Sequence, residues 1–251
     1  MSDADGYFGE QVAERYDESS GPEFRADVIA RTVDVLAELA GGGRALELGI
    51  GTGRIALPLA RRGVPVYGIE LSRAMVRRLR AKPGGESIGV TLGDFATAKA
   101  DLTADGPFAL VFLVFNTLMN LTSQEAQVAC FRNAADHLAP GGRFVVEVMV
   151  PELRKIPAGQ NTVPFRTGPG EWAYTAYDTV TQDATCHYLQ VTPDGRGTAR
   201  TVPFRYVWPA ELDLMARLAG LRLRDRWDGW TRAPFTEHST RHVSVWEKPA
   251  A

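Results

Sequence analysis

The stretch ALELGIGTGRIALPLARRG, residues Ala45 to Gly63, decides the fold of this chain. It joins a short apolar run to an amphipathic segment through a turn that holds three glycines within five residues. A glycine turn between a strand and a helix lets a ligand approach the backbone closely, and its exposed amides usually bind a phosphate. The residues around the turn determine whether phosphate is the ligand here.

The composition of the 251 residues narrows the class of protein. Acidic and basic residues are mixed and the formal net charge is -2, so no basic run points to nucleic acid or to a membrane surface. Cys130 and Cys186 are too few for a disulfide framework and too far apart for a CxxC motif. No run approaches about 18 apolar residues, and the first residues are polar and acidic. We therefore expect a cytoplasmic protein without a nucleic-acid or membrane partner.

Strands and helices are predicted to alternate on both sides of the glycine turn. The predicted strands, short and rich in Val, Leu and Ile, are Arg44 to Leu48, Val64 to Glu70, Ser87 to Leu92, Phe108 to Phe115 and Arg143 to Val150. The helical patterns between and before them are Pro22 to Ala40, Arg54 to Arg62, Ser72 to Lys82 and Ser123 to Leu138. Apolar strands separated by helices are typical of a parallel sheet covered on both faces. The sequence therefore predicts a doubly wound α/β domain.

Residues around the turn disfavour a phosphate ligand. Gly49, Gly51 and Gly53 depart from the dinucleotide fingerprint, whose third glycine or alanine would stand where Arg54 does. No Gly-Lys-Ser/Thr follows, so a P-loop is excluded. Glu47, two residues before the first glycine, would repel a pyrophosphate and suits a ligand that carries an ammonium group. These features point to S-adenosylmethionine.

Two further carboxylates stand at the ends of predicted strands. Glu70 ends the second strand, where a carboxylate suits the two hydroxyls of a ribose. Asp94 follows the third strand, and Phe95 beside it suits the face of an adenine ring. One acidic residue at a strand end is more often a helix cap or a solvated side chain. Three at the carboxyl ends of consecutive parallel strands indicate a ligand crevice.

In order and spacing these motifs resemble those of the class I S-adenosylmethionine-dependent methyltransferases. The resemblance covers about residues 44 to 150 and rests on Glu47 to Gly53, Glu70, Gly93 to Phe95 and Leu138 to Gly142. It implies a Rossmann-like sheet of seven strands in the order 3-2-1-4-5-7-6, with the last strand antiparallel. It also implies S-adenosylmethionine as the cofactor and S-adenosylhomocysteine as the product.

The resemblance also assigns cofactor contacts to positions of this chain. The implied contacts are Glu47, Gly49, Gly51 and Gly53 at the methionine moiety, Glu70 with the adjacent Leu71 at the ribose, Asp94 and Phe95 at the adenine, and Phe115 near the sulfur. The pattern from Tyr7 to Asp17 is similar to the lid helix of small-molecule members.

The chain is interpreted as one domain, residues 1–251, in four parts. Residues 1–43 form the lid and first helix, and residues 44–150 the cofactor-binding core. Residues 151–208 lose the helical periodicity and become rich in aromatic and β-branched residues, which predicts an antiparallel strand insertion. Residues 209–251 supply a helix and the last two strands of the core sheet.

Missing motifs narrow the family further. The run Asn116 to Met119 replaces the Asn/Asp-Pro-Pro-Tyr/Phe motif of nucleic-acid amine methyltransferases, and Phe115 to Ser123 contain no paired glutamates and no acidic metal ligands. Neither cysteine follows a proline, so no thiolate nucleophile is indicated. A metal-free methyltransferase of small molecules remains. Its insertion is similar to the substrate-capping insertion of glycine- and aminosugar-type N-methyltransferases, which favours an amine acceptor over a hydroxyl or carbon.

Three residues are candidates for catalysis on the acceptor side. Asn116 follows the fourth strand near the expected methyl group, with a turn cap as the alternative. Tyr16 could close over the methionine end, and it also fits a packing stripe of the lid. Glu147 is a carboxylate among apolar residues, where it either binds a cation in the crevice or pairs with an arginine. His187 and His238 are weaker candidates for a base, because a lone histidine in a strand or loop is more often structural.

Other functions remain open at this point. The insertion could serve a non-catalytic S-adenosylmethionine-binding protein as its partner surface, although an intact acidic set and a lid disfavour this. A nicotinamide-dependent oxidoreductase would require Glu70 to bind the ribose of NAD despite Arg54 and Glu47. Residues 151–208 could also form a homodimer interface, because a strand-rich insertion can cap a pocket or pair with a second copy.

Overall fold

A computed structural model describes residues 6–18, 21–101 and 106–250 of the chain. Its strands are β1 (Ala45–Leu48), β2 (Val66–Glu70), β3 (Gly89–Leu92), β4 (Phe108–Leu113), β5 (Leu138–Met149), β6 (Thr162–Gly168), β7 (Glu171–Tyr177), β8 (Ala184–Val191), β9 (Gly197–Val202), β10 (Arg222–Trp227) and β11 (Arg241–Glu247). The α-helices are α1 (Glu10–Arg15), α2 (Ala26–Ala40), α3 (Ala56–Arg61), α4 (Arg73–Arg80), α5 (Gln124–His137) and α6 (Pro209–Leu218).

The main sheet has seven strands in the order β10-β11-β5-β4-β1-β2-β3. Strands β1 to β5 pair in parallel, whereas β11 is antiparallel to both β5 and β10. Numbered within this sheet alone, the order is 3-2-1-4-5-7-6. The predicted doubly wound sheet with an antiparallel last strand is confirmed.

Both faces of the main sheet are covered, as its apolar strands predict. Successive residues of β4 point to opposite faces. Val111 packs into a buried cluster with Phe131 of α5, whereas Leu110 and Phe112 pack with Leu36 of α2 on the other side. Because β1 to β5 are parallel, their carboxyl ends lie on the same side of the sheet. The glycine turn after β1 lies on this side.

Strands β6 to β9 form a second, antiparallel sheet, as predicted for the insertion. The sequence did not predict β6. The inner face of this sheet buries Val163, Tyr177 and Val202 toward the main domain, and its outer face exposes Trp172 and Leu189. The homodimer expected through residues 151–208 stays a prediction. Exposed apolar side chains on the outer face are compatible with it.

One buried ion pair fastens the second sheet to the main domain. Arg205, just after β9, donates to Gln127 of α5 at 2.6 Å and to Glu211 of α6 at 2.8 Å. Its backbone N–H donates to the carbonyl of Met119 at 2.9 Å. The insertion is thus held over the turn that follows β4. Within the described ranges, no helix has the length and apolar character needed to cross a membrane.

Candidate functional site

The glycine turn after β1 combines two packing glycines with one open position. Gly49, Gly51 and Gly53 have φ values of +75°, +55° and +78°, which side chains rarely adopt. A Cβ on Gly49 would lie 2.6 Å from the Thr117 methyl group, and one on Gly53 would overlap Leu79. A Cβ on Gly51 would meet nothing nearer than a backbone oxygen 4.0 Å away. Gly51 therefore leaves the turn open toward a ligand.

Glu47, in β1 just before the glycine turn, has a buried carboxyl group. Its side chain is 3% exposed, and in the described part of the chain Oε2 has no hydrogen-bond partner. Burial is the main cause that raises its pKa to about 8, against the lowering effect of Arg54 and of the Ala56 N–H. A buried acceptor without a partner is costly, so a donor from the ligand is expected to complete it.

Glu70, at the end of β2, braces the turn through both carboxylate oxygens. Oε2 accepts from the N–H of Gly51 at 2.8 Å, and Oε1 accepts from the N–H of Ser72 at 2.9 Å. A carboxylate has about four acceptor sites, so ribose hydroxyls can still donate to it. Glu70 thus touches the open glycine and lies where the sequence predicted the ribose site.

The predicted adenine residues follow β3. Asp94 Oδ1 accepts from the N–H of Ala96 at 2.8 Å and so caps its own turn. Phe95 is buried, and its ring lies 3.8 Å from where a Cβ on Gly49 would be. Leu71 is half exposed beside Glu70. The structure therefore gathers residues from the carboxyl ends of β1, β2 and β3 on one side of the sheet.

Arg54, directly after the third glycine, is a further residue of this site. In the sequence it stood out only as a departure from the dinucleotide fingerprint. Its guanidinium carbon lies 4.9 Å from the ring centroid of Phe24 and 5.2 Å from that of Phe115. Nη1 donates to the carbonyl of Glu23 at 2.6 Å. The positive charge lowers the pKa of Glu47. The basic residue directly after the third glycine was the sequence signal that could have indicated a positive charge in this site.

The turn after β4 holds two residues in a strained backbone conformation. Phe115 and Asn116 have φ values of +53° and +58°, which are unfavourable outside glycine. Glu147 Oε2 accepts from the N–H of Phe115 at 2.9 Å, and Asn116 Oδ1 accepts from the N–H of Met149 at 2.7 Å. Burial raises the pKa of Glu147. Two of the predicted catalytic residues thus hold this turn in place.

Tyr16 belongs to the lid, residues 6–18, and lies over the glycine turn. Its ring packs edge-on against Phe8 and Phe24, at centroid distances of 6.4 and 5.5 Å. Burial raises its pKa to about 12; Arg54 opposes this shift, and Glu47 adds to it. Tyr16 is therefore a neutral hydroxyl at physiological pH, close to the charged groups of the site.

Hydrogen bonds and an ion pair, together called the lid latch, attach the lid to the glycine turn and to the residues that flank α4. Asp17 Oδ1 accepts from the Thr52 hydroxyl at 2.7 Å, and Asp17 Oδ2 lies 2.6 Å from the Lys82 ammonium nitrogen. Lys82 also donates to the carbonyl of Thr52 at 2.8 Å. The Ser72 hydroxyl donates to the carbonyl of Phe8 at 2.6 Å. Sequence reasoning missed this latch, because its partners lie far apart along the chain.

None of the four histidines has a hydrogen bond or ring contact with the lid, the glycine turn or the turn after β4, within the described residues. His137 is buried, with both ring nitrogens bound to backbone atoms. His242 is buried, and burial lowers its pKa to about 3. His187 stacks on Tyr174 on the outer face of the second sheet, and His238 is exposed. No histidine is therefore placed as a base.

The chain is similar to known methyltransferases in sequence and in fold. The model of the methyltransferase domain family matches residues 45–142. The cypemycin N-terminal methyltransferase of a Streptomyces species is 29% identical over 82% of this chain and 84% of its own length. The structure of the CcbJ methyltransferase from Streptomyces caelestis is 35% identical, with a TM-score of 0.83 over 97% of this chain and 98% of that chain.

A more distant structure shares the fold across both sheets. CalS10, an amino pentose methyltransferase from Micromonospora echinaspora solved with S-adenosylmethionine bound, is 21% identical, with a TM-score of 0.66. The match covers 96% of this chain and 98% of that chain. The region of similarity thus extends beyond residues 45–142, the range of the family model, into the second sheet.

Proposed function

Because the chain belongs to the class I S-adenosylmethionine-dependent methyltransferases, we propose that it methylates an amine nitrogen of a small metabolite or short peptide. The sulfonium of S-adenosylmethionine supplies an activated methyl group: the amine lone pair bonds to the methyl carbon as the carbon–sulfur bond breaks. The proposed amine class is supported by the placement of the histidines away from the crevice, and the relative that methylates a peptide N-terminus agrees with it.

The residues of the glycine turn fit the methionine moiety of the cofactor. Glu47 presents a buried oxygen that lacks a donor, which an ammonium group would supply. Arg54 places a positive charge beside it, which suits the carboxylate of the same moiety. Gly51 leaves the space that the moiety requires. Glu70 and Asp94 are assigned to the ribose and the adenine.

The acceptor side has two tasks: to position the amine and to exclude water. Tyr16 would close the methionine end, since its ring is packed into the lid. Asn116 and Glu147 would act as positioning residues, because their hydrogen bonds hold the strained turn after β4. Thr117 in that turn touches the space above Gly49. This turn thus joins the cofactor side to the acceptor side.

An amine is the acceptor that needs the least from this site. A hydroxyl must lose its proton as it is methylated and so benefits from a placed base, whereas an amine can lose its proton to water before it binds. Tyr16 remains protonated at neutral pH, and Glu147 already accepts from a backbone amide. The described residues therefore suit a neutral amine better than an alcohol.

Matched acceptors test the proposal. The purified protein with S-adenosylmethionine is offered amines and the corresponding alcohols, and peptides with free and with acetylated N-termini. Mass spectrometry should show the addition of one methyl group to free amines only. Transfer to the alcohols would contradict the amine assignment. Tight S-adenosylhomocysteine binding without transfer to any acceptor class would favour the non-catalytic alternative.

A further inference from the structure

The second sheet presents a cation between two aromatic rings. The guanidinium carbon of Arg200, in β9, lies 4.5 Å from the ring centroid of Tyr188 in β8. It also lies 5.6 Å from the ring centroid of Tyr7 in the lid. Arg200 thus connects the second sheet to the lid, with its guanidinium against two aromatic rings.

The strand register places this group on the inner face of the sheet. Arg200 pairs with Tyr188, and Tyr188 pairs with Ala173 of β7, so all three side chains point to the same face. Ala173 is 1% exposed, whereas its neighbour Trp172 is 44% exposed on the outer face. Phe165 adds a third ring, at a centroid distance of 5.6 Å from Tyr188. The cation therefore faces the main domain amid aromatic side chains.

Arg200 differs from two arginines in and beside this sheet in having no acidic partner among the described residues. Arg166 pairs with Glu171 at 2.6 Å, and Arg196 pairs with Asp194 at 3.3 Å. The described residues give Arg200 two ring contacts and place no carboxylate within ion-pair distance of it. Among the described residues, the N–H donors of its guanidinium thus have no protein acceptor.

The lid connects Arg200 to the predicted cofactor site. Tyr7 stands between Gly6, where a Cβ would lie 3.7 Å from Leu71, and Phe8, whose carbonyl accepts from the Ser72 hydroxyl. Leu71 and Ser72 directly follow Glu70, the residue assigned to the ribose. The lid residue that contacts Arg200 is therefore adjacent in the chain to the two lid residues that lie against Leu71 and Ser72.

We propose that Arg200, Tyr7 and Tyr188 form an acceptor-recognition site for a molecule that carries a carboxylate or phosphate group beside an apolar ring. The proposal rests on the proposed methyl transfer. A planar guanidinium binds either anion through two parallel hydrogen bonds, and tyrosine rings offer apolar faces to the attached group. Arg200 acts as a specificity residue that orients the acceptor, since it belongs to a different element from the residues around the predicted methyl position.

Small probes test the site before the natural acceptor is identified. The protein saturated with S-adenosylhomocysteine is titrated with benzoate, phenyl phosphate and, as the uncharged control, benzyl alcohol. The wild type should bind at least one anion tenfold or more tightly than benzyl alcohol, and the stronger of the two distinguishes a carboxylate from a phosphate source. Arg200→Gln should remove this preference, while Arg196→Gln, the matched loss of an exposed charge, should retain it.

Several results would overturn the proposal. One is equal anion binding by the wild type and Arg200→Gln. Another is a wild type that binds neither anion more tightly than benzyl alcohol. A third is loss of S-adenosylhomocysteine affinity in Arg200→Gln, which would place Arg200 in the cofactor site. Failure of the wild type itself to bind S-adenosylhomocysteine would contradict the proposed function instead. With an anionic acceptor, Arg200→Gln should raise KM about tenfold and leave kcat unchanged.

Discussion

The proposed cofactor side and the proposed acceptor side of this site are built in different ways. On the cofactor side, the backbone places the chemistry: a glycine turn opens at Gly51, and carboxylates stand at the ends of consecutive strands. On the acceptor side, Tyr7, Tyr188 and Arg200 come from the lid and from two strands of the second sheet. The first arrangement follows from the turn and the strand ends. The second depends on how separate segments pack.

Burial separates the two sides as well. Glu47 and Glu70 are almost inaccessible, whereas Arg200 is exposed. A change on the cofactor side therefore strands buried polar groups or fills a needed space, and it should reduce cofactor affinity strongly. A change on the acceptor side should alter which acceptor is bound and leave cofactor affinity nearly constant. The following predictions run from the largest expected effect to the smallest.

Filling the opening of the glycine turn should have the largest effect. Gly51→Ala keeps a fold-compatible space for the methyl group, at a backbone cost of about 1–2 kcal/mol for the positive φ. The methyl group would occupy the room left for the ligand, so S-adenosylhomocysteine affinity should fall about 100-fold or more. Gly141→Ala is the matched control, because Gly141 also has a positive φ and open space. Calorimetric titration with normal affinity in Gly51→Ala would contradict this assignment of the turn.

Glu70→Gln should reduce affinity by a smaller factor. The amide loses one acceptor oxygen that now braces Gly51 or Ser72, and it serves ribose hydroxyls less well. The expected cost is about 1–3 kcal/mol, or about 10- to 100-fold in Kd. Glu86→Gln, a change outside the site, provides the control. A folded Glu70→Gln protein with unchanged S-adenosylhomocysteine affinity would remove Glu70 from the ribose site.

The lid latch should contribute least. Asp17→Ala removes the contacts with Thr52 and Lys82, which are partly exposed and therefore worth about 0.5–1 kcal/mol. Stopped-flow measurement should show S-adenosylhomocysteine leaving about two- to five-fold faster. Asp34→Ala removes a comparable exposed ion pair, with Arg62, and should leave the rate unchanged. Equal rates in Asp17→Ala and wild type would show that the latch does not retain the ligand.

Local rules explain how much the sequence revealed. Strand and helix periodicity, glycine spacing and acidic strand ends act over a few residues, so the alternation of strands and helices and the set Glu47, Glu70 and Asp94 could be predicted. The order of the strands in the sheet was implied by the family resemblance that these motifs carry. The contacts of Arg200 with Tyr7 and of Asp17 with Thr52 could not be predicted, because these partners lie far apart in the chain. The catalytic roles expected of Asn116 and Glu147 stay predictions. Their hydrogen bonds to the turn after β4 could be seen only in the folded structure.

The central claim concerns the Glu47 carboxyl oxygen that has no hydrogen-bond partner among the described residues. The ammonium group of the cofactor is proposed to supply the missing donor. The pKa of Glu47, about 8, exceeds the ordinary 4.5, so the free protein holds this proton at pH 7. The stability that the protonated group contributes is fully present below about pH 4.5 and is lost progressively as the pH rises through 8. An ammonium group favours the charged form, so binding should expel the proton and strengthen as pH rises from about 6 to 8.

The most direct test is to count protons during S-adenosylhomocysteine binding. Calorimetric titrations at pH 7 in buffers of different ionisation enthalpy give this number for the wild type and for Glu47→Gln, which lacks the titrating group. The wild type should release close to one proton more than Glu47→Gln. Equal proton counts in the two proteins would contradict the claim that the cofactor completes the buried carboxyl group.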